Sequence, residues 1–280
     1  MSSRRSFLGK AALGIAGTAS LPMLGNALTM SSSFDGTPSL QTGIAGFTFY
    51  KFDIDKAIAM MKRVGVTNLS VKEFHLPLNS TQEAIDAFKA KLKDNGINPY
   101  TVGVIYMRTK EAVDQAFEYA KKMGVTMIVG VPTYDLIEYS EQKVKEYDIK
   151  LAIHNHGPED KLYPSPKDIW DRIKNLDPRM GLCIDIGHAL RAGTLPEKAI
   201  KEYKDRLFDL HIKDVNSNAK DAKAIEIGRG AINFPAVVEA LKKVKFQGVC
   251  SIEFEKDMTD PLAGLAESIG YFRGVMRAED

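Results

Sequence analysis

Three observations make this chain an α/β protein of the (β/α)8 TIM-barrel class, folded as a single domain. Eight strand-like runs alternate with helix-like ones along the sequence. No linker, low-complexity stretch or repeat interrupts them once the first forty or so residues are passed. Four consecutive runs in the second half end in His, Asp or Glu, and the C-terminal ends of barrel strands are where such enzymes keep their chemistry.

The first segment stands apart from this alternation. Residues 2–10 carry Arg4, Arg5 and Lys10, residues 11–24 are uncharged, small and apolar, and Gly25-Asn26-Ala27 follows. A basic region, a short apolar run and an A-x-A-like site form a secretory signal over residues 1–27, and the paired arginines just ahead of Phe7 and Leu8 mark it as the twin-arginine type. The apolar run is too short for a membrane span, so no stable membrane anchor is expected after processing. The expected location is exported, or periplasmic. Residues 28–41, rich in Ser, Gly and Pro, read as a flexible tether, and 42–280 as the barrel. Cleavage removes three of the 38 cations and none of the 36 acids, leaving 35 against 36, so the mature chain is not basic. A nucleic-acid enzyme would need a cationic surface, and none is expected here.

The strand-like runs fall at residues 44–50, 68–75, 100–107, 127–131, 150–156, 181–188, 207–215 and 249–255. Helices are signalled between them. Ser80 with Glu83 predicts a capping box ahead of a helix over 84–93, closed by Asn95-Gly96. Residues 110–123 run up to Gly124, 168–176 follow Pro166, and 234–244 stop before Gly248. Cys183 and Cys250 lie within core strands and read as free, small hydrophobes.

Strand parity decides which polar side chains can meet, because successive residues face opposite ways. His154 and His156 share a side, as do Asp185 with Cys183, His211 with Asp209 and Lys213, and Glu253 with Glu255 and Ser251. One set per strand can point into the barrel mouth. His154, Asp185, His211 and Glu253 then form a mixed imidazole and carboxylate set for one divalent cation, suited to Mn²⁺, Zn²⁺ or Co²⁺ better than to Mg²⁺ or Ca²⁺.

These endings resemble the xylose isomerase-like TIM barrels, a family that includes sugar isomerases and epimerases and also endonuclease IV. The resemblance covers the whole mature chain. Its motifs are Asp185-x-Gly187-His188, His211-Ile212-Lys213-Asp214, Ile252-Glu253-x-Glu255 and Gly228-x-Gly230. In the sugar epimerases the metal is held by Glu, Asp, His and Glu on strands five to eight, and Asp185, His211 and Glu253 match the last three. Where many relatives carry Glu-x-His, this chain has His154-Asn155-His156, so the resemblance makes His154 the substitute ligand.

The chemistry implied is proton abstraction next to a metal-bound carbonyl of a non-phosphorylated sugar or keto-sugar, giving isomerisation or epimerisation with Glu253 as base. His156 and Lys213 are the further catalytic candidates, and the second proton-transfer group comes from strand five, from strand two or from Lys213. His188 looks like the family's substrate-binding histidine. His75, Lys72 and Arg229 complete the candidate substrate-binding set, and Phe47, Phe49 and Tyr106 are candidate pocket walls. A lyase or dehydratase acting on a keto-sugar or keto-glycoside would use the same site. A non-catalytic carbohydrate-binding barrel is a third reading, supported by the missing strand-five glutamate. Phosphodiester cleavage ranks last, since five histidines and an acidic mature chain suit neither a multi-metal cluster nor a phosphate groove.

Overall fold

A computed structural model of the protein describes residues 40–279. The signal expected over 1–27 and nearly all of the tether expected over 28–41 lie outside them. The chain runs β1 (Gln41–Ala45), α1 (Ile54–Val64), β2 (Asn68–Val71), α2 (Gln82–Asp94), β3 (Asn98–Met107), α3 (Lys110–Met123), β4 (Met127–Pro132), α4 (Ile137–Tyr147) and β5 (Lys150–His154). It continues through α5 (Pro166–Ile173), β6 (Met180–Asp185), α6 (Ile186–Arg191), α7 (Pro196–Glu202), β7 (Leu207–Ile212), β8 (Asp214–Val215), β9 (Ala224–Ile225), α8 (Phe234–Lys243), β10 (Val249–Ile252) and α9 (Leu262–Ala278).

Eight of these strands close a parallel barrel in the order β1-β10-β7-β6-β5-β4-β3-β2, with β8 and β9 as a small antiparallel ribbon beyond β7. The predicted eight-stranded barrel is therefore the fold observed. Helix ends follow local chemistry. Asp53 caps α1 by accepting from the Lys56 amide at 2.8 Å, and α1 and α3 end on Gly65 and Gly124 in the left-handed region, which glycine adopts without steric penalty. The α2 cap is Thr81, accepting from the Ala84 amide at 3.3 Å, one residue later than the capping box expected at Ser80. Ser80 instead donates to the Pro77 carbonyl, closing the turn before the helix. Arg273 of α9 donates to the Val64 and Gly65 carbonyls at the end of α1, joining the last helix to the first.

Several predicted strands stop short of their polar endings. β1 gives way to a 3-10 turn, Gly46–Phe49, β2 ends at Val71, and β6 passes straight into α6. A buried polar layer crosses the barrel where the Tyr100 hydroxyl donates to Asp209 at 3.0 Å and also pairs with Ser251. Burial pushes the Asp209 carboxyl up to about 7, against the pull of His211 and Tyr100. Cys183 and Cys250 are free and buried, as expected.

Candidate metal centre and active-site cavity

His154 ends β5, Asp185 ends β6, His211 lies one residue from the end of β7, and Glu253 directly follows β10. The register sets Asp185 opposite His211 and His211 opposite Ser251, while the Glu253 amide donates to the Ile212 carbonyl at 3.0 Å. The four strands are neighbours in the barrel, so parity brings one ligand atom from each residue to within 4.8 Å of the others. His154 Nε2 lies 3.0 Å from His211 Nδ1, His211 Nδ1 lies 3.3 Å from Glu253 Oε2, and His154 Nε2 lies 4.0 Å from Asp185 Oδ2. Bonds of about 2.0–2.1 Å to one tetrahedral ion require ligand atoms about this far apart.

The donor set itself fits a divalent ion: two imidazole nitrogens, His154 Nε2 and His211 Nδ1, meet the carboxylates of Asp185 and Glu253 in a buried site. The far ring nitrogens, His154 Nδ1 and His211 Nε2, are buried without a hydrogen-bond partner. Cys183 with His154 and His211 meets the same spacing, but burial, reinforced by Asp209, holds its thiol protonated, which a thiolate ligand cannot be.

Lys213 is the hub beside this cluster. Its Nζ lies 2.8 Å from Glu255 Oε2, 2.9 Å from Glu253 Oε2 and 3.1 Å from Asp185 Oδ2, with only 3% of the side chain exposed. Burial opposes the charge, yet the three carboxylates outweigh it and hold the ammonium well above its usual range. Glu253 is likewise buried, but Lys213 and then His211 hold it well below the carboxylate range. Glu255 is shifted the other way, because its burial outweighs Lys213. For His211, burial works against the proton but Glu253 more than reverses it, raising the ring, whereas burial lowers His154 far below the usual histidine value.

Asp185 serves two purposes. Oδ1 caps α6 by accepting from the His188 amide at 2.8 Å, leaving Oδ2 to face the cluster. Asn155 holds the Asp185 backbone from both sides, at 3.0 Å and 3.1 Å. Capping α6 and facing the cluster are therefore compatible roles for that aspartate. His188, on the first turn of α6, presents Nε2 3.4 Å from Lys213 and Nδ1 3.2 Å from Arg191, and burial lowers it to about 4.

Above the cluster opens a cavity of about 190 Å³ whose walls include Phe47, Lys72, Tyr106, His156, His188 and Glu255. His156 stacks on Tyr106 and shares a 3.0 Å hydrogen bond with its hydroxyl, and burial lowers its ring. Lys72 donates to the Val104 carbonyl at 2.5 Å and pairs with Glu73 at 3.1 Å.

The structure does not bring three of the expected residues here. His75 follows the end of β2, where strand parity no longer holds, and its Nε2 lies 3.1 Å from the Phe52 carbonyl, outside the cavity. Arg229 is 58% exposed and forks onto Glu267 of α9. The loop that carries it is organised by Asp214, which accepts from the Gly228 and Gly230 amides at 2.9 Å each, so that Gly-x-Gly stretch serves the loop. Phe49 is fully buried in the core. Sequence reasoning missed Glu255 and Asn155 as parts of the site. For Glu255 the signal was present in its shared parity with Glu253.

Residues 58–275 match the sequence profile of the family described as Xylose isomerase-like TIM barrel. The chain belongs to this family. An uncharacterized protein of Methanocaldococcus jannaschii is 32% identical to it over 121 residues, 42% of this chain and 40% of that one. The chain spans about two fifths of the length of the curated relatives it matches. Among solved structures, the IolI protein with a bound zinc atom superposes with a TM-score of 0.73 at 16% identity, over 86% of this chain and 99% of that one. A D-tagatose 3-epimerase-like protein gives 0.71 at 17% identity, over 86% and 98%. At such identities these two proteins show a shared fold alone.

Proposed function

We propose that this protein is a divalent-metal-dependent sugar isomerase or epimerase that removes a proton next to a carbonyl of a non-phosphorylated sugar or keto-sugar. The observation that carries the reading is the convergence of His154, Asp185, His211 and Glu253 on one point beneath a cavity, with the Lys213 ammonium alongside. It is supported by the zinc atom in IolI and by the epimerase-like neighbour. A divalent ion held by these four residues supplies Lewis-acid polarisation of a carbonyl oxygen, and two imidazoles with two carboxylates suit Mn²⁺, Zn²⁺ or Co²⁺.

The remaining steps belong to the chain's own groups. Glu253, kept ionised by Lys213 and His211, takes the proton. Lys213, kept charged, donates hydrogen bonds where negative charge develops. Glu255, with its proton affinity raised and its carboxylate on the same ammonium, returns a proton, with the His156–Tyr106 pair at the opposite wall. Lys72 and His188 orient the sugar from the cavity walls.

Incubating the metal-loaded protein with free sugars and 3-keto-sugars in D₂O and following them by NMR tests this reading. Deuterium entering one carbon of at least one sugar supports it, and no exchange across the set contradicts it. A lyase is the second reading, favoured by His154 at the position where epimerases carry a second glutamate. Loss of a substituent in the same spectra, in place of an epimer, identifies it. The proposal places the enzyme outside the cytoplasm through residues 1–27. Arg4→Lys with Arg5→Lys is then expected to leave an unprocessed precursor inside the cell, and a wild-type protein that keeps Met1 or Ser2 in the cytosol would contradict export.

A further inference from the structure

The three barrel strands β1, β2 and β3 carry no ligand at their C-terminal ends and present aromatic rings instead. Phe47 lies in the turn after β1 and Tyr50 directly beyond it, Phe74 follows β2, and Tyr106 is near the end of β3. The centroids of Phe47 and Tyr50 are 5.5 Å apart, those of Tyr50 and Phe74 5.4 Å in an edge contact, and those of Phe47 and Phe74 6.5 Å. Tyr50 is 48% exposed and Tyr106 44%, while Phe47 and Phe74 are half-buried. The Tyr50 hydroxyl has no hydrogen-bond partner among the described residues, and Lys51 Nζ lies 4.8 Å from its ring centroid.

This patch is continuous with the cavity above the His154, Asp185, His211 and Glu253 cluster, because Phe47 lines both. The cavity itself, at about 190 Å³, is smaller than the roughly 300–1,000 Å³ that enclose a drug-sized ligand. A ligand of more than one sugar ring must therefore extend past the rim, where the aromatic patch borders one side and a polar pocket that shares His188 and Glu255 borders another. Sugar rings have an apolar C–H face and a hydroxyl edge. An aromatic face beside free hydroxyl and ammonium groups is complementary to both.

We propose that Phe47, Tyr50 and Phe74 form a stacking subsite for the second ring of a glycosidically linked sugar, so that the substrate is a disaccharide or larger glycoside. Phe47 forms the boundary between the reacting ring on the cavity floor and the stacked ring outside. The inference rests on the reading of the cavity as a sugar site, and it names the substrate class for that site.

Direct binding separates the two claims, since it needs no turnover. Full-length processed protein loaded with Mn²⁺ is titrated calorimetrically with cellobiose, maltose, lactose and sucrose, and with glucose, galactose and fructose. At least one disaccharide is expected to bind tenfold or more tightly than its component monosaccharides. Phe74→Ala and Tyr50→Ala are each expected to weaken that disaccharide by roughly 3- to 10-fold, the usual worth of an aromatic contact, while Phe74→Tyr keeps the affinity. Melting temperature and metal content establish that each variant is folded, and Phe74→Leu replaces Phe74→Ala if that variant is not. Monosaccharides binding as tightly as every disaccharide would overturn the stacking subsite alone. Disaccharide affinity unchanged in both alanine variants would overturn it as well, as would sedimentation showing the patch occupied by a second copy of the chain with no preference for disaccharides. Failure of every sugar to bind would overturn the sugar-site reading together with the subsite.

Discussion

The mouth of this barrel has two unlike arcs. Along β5, β6, β7 and β10, neighbours in the sheet, strands end in His154, Asp185, His211 and Glu253, all nearly or fully buried. Along β3, β2 and β1 the rim carries Tyr106, Phe74, Phe47 and Tyr50, two of them close to half exposed. The polar arc is a set of charges compensating one another in a low-dielectric interior, where removing any partner leaves an uncompensated group. The aromatic arc is a set of surfaces in which each ring contributes a separate, smaller amount. The first is the proposed seat of the chemistry and the second of recognition. Thr48 links them: its hydroxyl donates to the Ile252 carbonyl and accepts from the Phe254 amide, on either side of Glu253.

If that division holds, substitutions in the polar arc act on rate and stability by large factors. The largest effect is expected from Glu253→Gln, which keeps the shape and removes the proposed base. With metal content confirmed, solvent-deuterium exchange into substrate should fall by about 10² to 10⁴, the usual worth of a positioned general base. Exchange at the wild-type rate would move the base to His156 or Glu255 and break the assignment.

Lys213→Met is expected to act on stability. It leaves Asp185, Glu253 and Glu255 facing one another without their shared counter-charge, and loss of one partner from a buried ion pair costs about 3–5 kcal/mol. Urea unfolding of the metal-stripped protein measures this, and a divalent cation should recover part of the loss. A variant as stable as wild type would show the carboxylates protonated or apart.

A smaller effect distinguishes the arcs by pH. Burial lowers His188 from 6.5 to about 4, and lowers His154 and His156 as well, with only the Glu253-paired His211 raised. A histidine with depressed proton affinity in the folded state binds more protons when unfolded. Stability is thus retained above pH 6.5 and lost as pH falls from 6.5 toward 4, by about 3 kcal/mol for His188 alone. Denaturant titrations of the metal-stripped protein across this range should show the decline, and His188→Asn should reduce its slope. A profile unchanged by that substitution would mean that His188 takes up its proton while folded.

The polar arc was legible in the sequence because strand parity persists to the last residue of a strand, and His154, Asp185 and His211 lie within theirs. Glu253 continues the pattern because its amide keeps the ladder with Ile212 for one residue more. Legibility ends where the backbone leaves the strand. His75 follows a turn in which the His75 and Leu76 amides both bond to the Lys72 carbonyl, so counting alternate residues from β2 no longer says where its ring points. Arg229 was drawn toward the site by its flanking glycines, yet those amides serve Asp214 and the guanidinium serves Glu267. The aromatic arc is assembled from three separate loops and strand ends, and neither periodicity nor spacing records that Phe47, Tyr50 and Phe74 meet.

Metal stoichiometry tests the central claim most directly. Protein purified without chelator, analysed for elemental content beside His211→Ala, should carry one transition-metal ion per chain in the wild type and close to none in the variant. Well under one metal per wild-type chain, together with a melting temperature unmoved by added Mn²⁺, Co²⁺ or Zn²⁺, would contradict a metal centre built from His154, Asp185, His211 and Glu253.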